Sequence, residues 1–384
     1  MMTEKIGLLL PRSVIYPSIA FDIVGGLRGY LDNIGGDNIE IKTESIGLGA
    51  DDKIIYGACE KMLLDGINII AGYVNPVTAE KLEPLFASAN SLFIALDAGY
   101  HFPSSTKKLP HVFYISLQGA LCVRAVIKTA MEDGMKNMAF AGSFYDSGYR
   151  SSYAFHRGVE EGGGKVTFNL VTPLKRSDLT LQPLETHCKE IEVDGIFASF
   201  CGDMLQDFYS AASVGNVFKE HTIYGSSFSG EEQWLAQSPY PGVDIKVCVP
   251  WGNDLDNAAN VYFKEQLKKK NKNATIFSLL GWEAGQVIEK IISVSGTIEA
   301  ISILEGSVYE SPRGTVELDK NTHQTYAPVY EALVKENEKT GNCLLVLQQK
   351  SIHTEEQRLR LEKDINNISG PMSSWFNAYA CIDS

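Results

Sequence analysis

The sequence predicts an α/β protein of two lobes, each a parallel sheet flanked by helices, and three observations predict it. Its 384 residues, 44% of them hydrophobic, exceed what one core fills, since single cores stop growing near about 250 residues. Short apolar runs alternate with helical periodicity, and that grammar starts afresh near Asn137. The segments that follow the strands are rich in hydroxyl and aromatic residues, the composition of turns that carry ligands at the carboxyl edge of a parallel sheet.

Taken in order, Ile6 to Leu10 reads as the first strand and Pro11 to Pro17 as a loop. Ser18 to Ile34 reads as a helix whose Gly25, Gly26 and Gly29 let it lie close on the sheet, and Gly35-Gly36 ends it. Ile39 to Ile46 alternates as a strand, and Asp51-Asp52 open a helix that runs to Leu64. The stretch from Gly66 to Phe102 is the plainest βαβ unit, with strands at Ile67 to Gly72 and Ser91 to Leu96 around a helix from Pro76 to Ser88. Asn75 is a good N-cap, and Pro76 loses nothing at a first helical position. The N–H groups of Val77 and Thr78, with the Thr78 hydroxyl, are then expected to face the space above the sheet, where a helix N terminus accepts a carboxylate or amide oxygen. Tyr73 follows the first of these strands, and the second leads into Asp97-Ala98-Gly99-Tyr100, so an acid, a turn and an aromatic ring arrive beside the helix start.

After a short strand at Val112 to Ser116 and a helix at Leu121 to Asp133, the second lobe repeats the plan. Asn137 to Gly142 leads into Ser143-Phe144-Tyr145-Asp146-Ser147-Gly148, Gly195 to Phe200 into Cys201-Gly202-Asp203, and Thr222 to Gly225 into Ser226-Ser227-Phe228-Ser229-Gly230. Lys246 to Val249 is a further strand. The helices predicted over Leu255 to Lys270, Ser278 to Ser293 and Gly296 to Glu305 start no sheet of their own and are expected to pack back on the first lobe. Ser311 to Asp319 reads as a hairpin-like segment, Tyr326 to Val334 and Leu344 to Gln348 as strands, and Thr354 to Ile365 as a charged surface helix. The resulting division is residues 1–118 and 251–326 for the first lobe, 119–250 and 327–350 for the second, and 351–384 for a C-terminal helical tail.

A formal charge of -13 argues against nucleic acid, whose phosphates need a basic face. No apolar run approaches the roughly 20 residues that span a bilayer. The first strand begins too near Met1 to leave room for a secretory leader, so the expectation is a cytoplasmic protein if Met1 or Met2 is the start, and a periplasmic one if a leader has been removed. The cysteines are scattered without a Cys-x-x-Cys or Cys/His spacing, which predicts buried thiols rather than a zinc site or disulfide framework. His323, in Asn321-Thr322-His323-Gln324, is expected to fix a crossing by hydrogen bonds, and Trp251 and Trp282 to pack in the core or between the lobes. Neither a nucleophile elbow nor a phosphate-binding glycine loop follows any predicted strand.

The opening KIGLLLPRS with GGLRGYLDNIGG, the segments IIAGYVNPVTAEKLEPLF, AFAGSFYDSGYRSSYAFHRGVEEGGGKV and DGIFASFCGD, and above all SPRGTVELDKNTHQTY, resemble the type I periplasmic binding proteins. The resemblance lies in the branch that binds leucine, isoleucine and valine or amides and urea, and it covers Lys5 to about Gln348. It implies two Rossmann-like lobes joined by a three-crossing hinge near Ser116 to Gly119, Pro250 to Gly252 and Gln324 to Pro328. It also implies a receptor that closes on a small polar organic ligand, without a cofactor or metal, as a monomer or homodimer. Its partner is either an ATP-driven permease or a cytoplasmic regulator. The ligand contacts it implies are Ser13, Tyr16, Tyr73, Val77, Thr78, Asp97, Ala98, Gly99 and Tyr100 from the first lobe. The second lobe supplies Tyr145, Ser147, Phe200, Cys201, Ser227 and Phe228. Amino-acid receptors of this group carry an acid near Ser227 that holds the ligand ammonium, and Ser227-Phe228 supplies none. A hydrolase of small amides on an α/β scaffold is the competing expectation.

Overall fold

The computed structural model describes residues 4–35, 38–103, 109–143, 149–173, 175–215 and 217–367. The first lobe is built from β1 (Glu4–Leu10), α1 (Ile19–Leu31), β2 (Ile39–Ser45), α2 (Asp52–Leu64), β3 (Ile69–Tyr73), α3 (Pro76–Ser88), β4 (Leu92–Asp97) and β5 (Val112–Ser116). Its strands are all parallel, in the order β2-β1-β3-β4-β5. β3, β4 and β5 are buried along their whole length, which is why they read as unbroken apolar runs rather than as alternation.

The second lobe begins with α4 (Gly119–Glu132), β6 (Asn137–Gly142), α5 (Tyr149–Glu161), β7 (Lys165–Val171), α6 (Gln182–Glu190) and β8 (Gly195–Ser199). It continues with α7 (Gly202–Val214), α8 (Val217–Glu220), β9 (Thr222–Gly225), α9 (Glu232–Leu235) and β10 (Ile245–Val249). The chain then returns to the first lobe as α10 (Ala258–Lys269), α11 (Ile276–Ile292), α12 (Thr297–Leu304), β11 (Val308–Ser311), β12 (Gly314–Leu318) and β13 (Thr325–Tyr326). Finally β14 (Val329–Glu336) and β15 (Cys343–Ile352) rejoin the second sheet, followed by α13 (Glu355–Asn367). That sheet has the order β15-β14-β10-β9-β8-β6-β7, with β14 and β15 antiparallel to their neighbours and the rest parallel.

Three expectations are corrected here. The segment read as a lone hairpin gains a third strand, because β13 pairs with β12 to close a small antiparallel sheet. The single strand expected from Tyr326 to Val334 is broken at Ala327-Pro328: proline brings no N–H to a ladder, and the Ala327 N–H is given to the Gln118 side chain. The α1 glycines also serve a different neighbour. A Cβ on Gly26 would stand 1.8 Å from the Ser278 carbonyl oxygen, and one on Gly281 2.1 Å from that of Ile23, so it is α11 that they admit to close contact rather than the sheet.

The three crossings form a hinge held by buried polar bonds. Gln118, in the left-handed region at φ 57°, donates from its side chain to the Ala327 carbonyl at 3.0 Å while accepting the Ala327 N–H, which joins the first crossing to the third. Arg313, fully buried in the SPRGTVELD motif, pairs with the equally buried Glu283 at 2.7 Å and donates to the Ser116 carbonyl at 2.9 Å. His323 stacks on Phe113 at 4.3 Å and bridges the Val112 carbonyl, 3.2 Å away, and Glu305, 3.1 Å away. The expected surface helix of the tail docks on the second lobe through Arg360 to Glu161 at 2.7 Å and Arg157 to Asp364 at 3.1 Å. Among the described residues no helix is long and apolar enough to cross a membrane.

Candidate functional site

The turns at the carboxyl ends of the two sheets face each other, and aromatic rings line the space between them. From the first lobe come Tyr16, Tyr73 and Tyr100, joined by Phe277 at the start of α11. Tyr16 meets Phe277 edge-on at 5.0 Å between centroids, and Tyr73 does so at 5.8 Å. From the second lobe come Phe228 and Trp234. Tyr100 lies 6.2 Å from Phe228 with the ring planes only 22° apart, and Tyr16 lies 6.3 Å from Phe228 and 6.2 Å from Trp234. These separations fall within the range over which aromatic pairs attract, so the lobes stand closed on one another.

The charged groups sit beside this wall. Asp97 is 5% exposed, accepts the N–H groups of Gly99 and Ala98, and burial pushes its carboxyl up to about 7. The turn it caps cannot take a side chain: Gly99 has φ 83°, and a Cβ there would be 2.1 Å from the Gln118 nitrogen. The Ala98 and Gly99 carbonyls accept the Gly119 and Ala120 N–H groups at 3.1 and 2.8 Å, which ties the turn to the hinge. Across the cleft Arg150, in the first turn of α5 and 5% exposed, faces Asp97 and Glu80; burial draws its guanidinium down to about 10, and the two acids oppose that shift. Glu80 also meets His101 at 3.1 Å.

Beside the rings, towards the hinge, lies a cavity of about 320 Å³ bordered by Leu117, Ser227, Phe228, Glu231, Asn253 and Thr275. Glu231 caps α9 by accepting the Gln233 and Trp234 N–H groups at 3.2 and 3.1 Å, and burial lifts its carboxyl to about 7.

A family model described as periplasmic binding protein matches residues 3–340. The chain belongs to the periplasmic binding protein family. It is therefore a solute-binding receptor that holds a small organic ligand between two lobes, and the small-amide hydrolase finds no support. This periplasmic binding protein is 21% identical over 339 residues to the Leu/Ile/Val-binding protein homolog 6 of Brucella suis, covering 85% of this chain and 86% of that one. In fold it is similar to a solute-binding protein of an ABC transporter from Rhodopseudomonas palustris HaA2, solved in complex with p-hydroxybenzoic acid, with a TM-score of 0.76 at 20% identity over 92% of this chain and 98% of that one. A second such protein, from Rhodopseudomonas palustris BisB5 in complex with 3,4-dihydroxybenzoic acid, gives a TM-score of 0.75 at 18% identity over 93% and 100% of the two chains.

The periplasmic binding protein's expected contacts divide into several groups. Tyr16, Tyr73, Tyr100, Asp97 and Phe228 come together between the lobes, with Ala98 and Gly99 as the turn that places them. Ser13 supports the same loop by accepting the Tyr16 N–H at 2.9 Å, and Ser227, 8% exposed, borders the side cavity. Three expected contacts have partners within the protein. The Thr78 hydroxyl donates to Asp52 at the start of α2. The Val77 N–H is taken by the Asn75 cap at 2.9 Å. The Phe200 ring stacks on Phe208 of α7 at 4.2 Å, inside the second lobe's own core. Cys201 is the buried N-cap of α7, and Tyr145 and Ser147 lie outside the described residues.

Arg150, Phe277, Trp234 and Glu80 were not read from the sequence. A signal for Arg150 exists: a cation in the first turn of a helix opposes the helix dipole, so its presence there asks for another partner. Phe277 follows Thr275, whose hydroxyl accepts the Ser278 N–H at 3.1 Å as half of a capping box, and that motif marks where α11 starts beside the cleft.

Proposed function

We propose that this receptor captures a flat aromatic carboxylate and presents it to an ABC permease rather than transforming it. The observation that carries the reading is the pair Tyr100 and Phe228, from opposite lobes, nearly parallel at 6.2 Å. A ring inserted between two others needs about 7 Å, twice the ~3.5 Å of carbon–carbon contact, which a slight opening of the cleft provides. Tyr16, Tyr73 and Phe277 close the sides with further aromatic surface.

The charges favour an acid over an amino acid. Arg150 offers a cation, whereas the Ser227-Phe228 turn has no carboxylate for an ammonium. Asp97 and Glu80 already face Arg150, and a ligand carboxylate can replace them there because burial lets Asp97 take up a proton near neutral pH. Protonated Asp97, Arg150 and one ligand carboxylate leave less charge unbalanced in a space of low polarity. The two structural relatives solved with hydroxybenzoic acids support the same ligand class, while the name of the Brucella relative supports a branched-chain amino acid, which the test therefore includes.

Thermal shift with p-hydroxybenzoic acid, benzoate, leucine, phenylalanine and acetamide tests the proposal. The expected result is stabilisation by the aromatic acids, with each acid recovered unchanged from the incubation. Stabilisation by leucine alone would replace the proposed ligand class, and conversion of any compound would reopen catalysis.

A further inference from the structure

Trp234 brings to the aromatic wall a polar atom that its neighbours do not engage. Its indole N–H is buried and has no hydrogen-bond partner among the described residues. Trp251, by contrast, gives its own indole N–H to the Asn260 side chain at 2.9 Å. The Trp234 indole is held in place: Glu231 accepts the Trp234 backbone N–H at 3.1 Å, the Ser238 hydroxyl donates to the Trp234 carbonyl at 2.8 Å, and Tyr16 meets the ring edge-on at 6.2 Å. Its Nε1 edge has apolar surroundings. A Cβ on Gly202, at the start of α7, would stand 3.8 Å from Cε2, the carbon bonded to Nε1, and 2.0 Å from the Ile15 Cγ2. An N–H kept from water without an acceptor bears the cost of its desolvation, and an arriving acceptor recovers it.

Given the aromatic acid proposed as ligand, on which the inference rests, we infer that the Trp234 N–H selects acids that carry an oxygen on the ring at the end away from the carboxylate. The order of the rings places the two groups. Arg150, which takes the carboxylate, faces Asp97, in the same turn as Tyr100. Phe228 lies 6.2 Å from Tyr100 and 6.3 Å from Tyr16, and Trp234 is the next ring beyond Tyr16. A ligand ring held between Tyr100 and Phe228, with its carboxylate at Arg150, therefore has its far edge on the Tyr16 side, where the indole stands. An oxygen at that edge accepts the N–H in a space of low polarity. A methyl group of similar size leaves the donor unpaired, which is how a site built to bond a ligand oxygen rejects an analogue without one. The difference amounts to roughly five- to a hundredfold in affinity.

Calorimetry with p-hydroxybenzoic acid and p-methylbenzoic acid, which share shape and carboxylate and differ in the ring oxygen, tests this. The wild-type chain is expected to bind the hydroxy acid at least about fivefold more tightly. Trp234→Phe keeps an aromatic ring beside Tyr16 and should abolish that preference by weakening the hydroxy acid alone; a merely structural role would weaken both acids together. In the wild-type chain with isotope-labelled indole nitrogens, the Trp234 Nε1–H resonance should move downfield with the hydroxy acid and not with the methyl acid, and this serves as the test if Trp234→Phe does not fold. If neither acid binds, the ligand class proposed for the cleft fails and the role of Trp234 falls with it. If both acids bind the wild-type chain equally, if Trp234→Phe keeps the preference, or if the indole resonance responds alike to both, the ligand class stands and the role of Trp234 is overturned.

Discussion

The hinge and the cleft lie side by side and are built on opposite terms. In the hinge every charge has a close, complementary partner: Arg313 meets Glu283 at 2.7 Å with both fully buried, and Gln118 bonds both polar groups of Ala327. In the cleft, burial drives Asp97 and Arg150 towards their neutral forms, and the walls are rings from two lobes that touch only when the lobes close. The crossings are thus held together by their own polar bonds, while the cleft is completed only by groups that the other lobe brings, which suits a receptor that closes on its ligand.

The largest effect expected from this contrast lies in the hinge. Arg313→Ala leaves the Glu283 carboxylate buried without its partner and should cost about 3–5 kcal/mol in chemical denaturation. A loss below ~1 kcal/mol would mean that the pair does not anchor the crossings. Phe228→Ala should also lower stability, since the ring is 2% exposed, but unlike the hinge change it should weaken p-hydroxybenzoate binding by roughly ten- to a hundredfold in calorimetry. If affinity held, the Phe228 ring would take no part in the ligand site.

Asp97 sharpens the comparison through pH. Its carboxyl ordinarily titrates at 3.8 and is raised to about 7 in the closed chain. Between these values the folded form holds a proton that the unfolded chain has released, so Asp97 lowers stability as pH rises through that window. Asp97→Asn should flatten this dependence. For binding, an acid that enters with Asp97 protonated should lose up to tenfold in affinity per pH unit above about 7 in the wild-type chain, and much less in Asp97→Asn. A wild-type affinity independent of pH from 6 to 9 would show that Asp97 takes no part.

The smallest effect is expected at Thr78. Its hydroxyl is already engaged by Asp52, so Thr78→Ala should change ligand affinity by less than about twofold and stability by about 1 kcal/mol. A tenfold loss of affinity with unchanged stability would return Thr78 to the ligand.

The same contrast explains what could be read in advance. The fold was legible because buried parallel strands impose apolar runs, caps such as Asp51 and Asn75 mark helix starts, and the motif around Arg313 has a distinct composition. The path near Pro328 was missed because a strand pattern does not reveal that Gln118 takes the Ala327 N–H from 209 residues away. In the cleft the turns were legible, but the directions of side chains were not. Thr78 sits in the first turn of α3 and Phe200 at the end of β8, and Asp52 and Phe208 engage them from elements whose packing the local sequence does not encode. Arg150 comes to Asp97 only when the two lobes are brought together, which no linear spacing records.

The most direct test of a ligand clasped between Tyr100 and Phe228, with its carboxylate at Arg150, is a calorimetric titration of the wild-type chain with p-hydroxybenzoic acid beside one with leucine. Saturable one-to-one binding of the aromatic acid and no heat from leucine are expected. Saturation by leucine with none by the aromatic acid would contradict it.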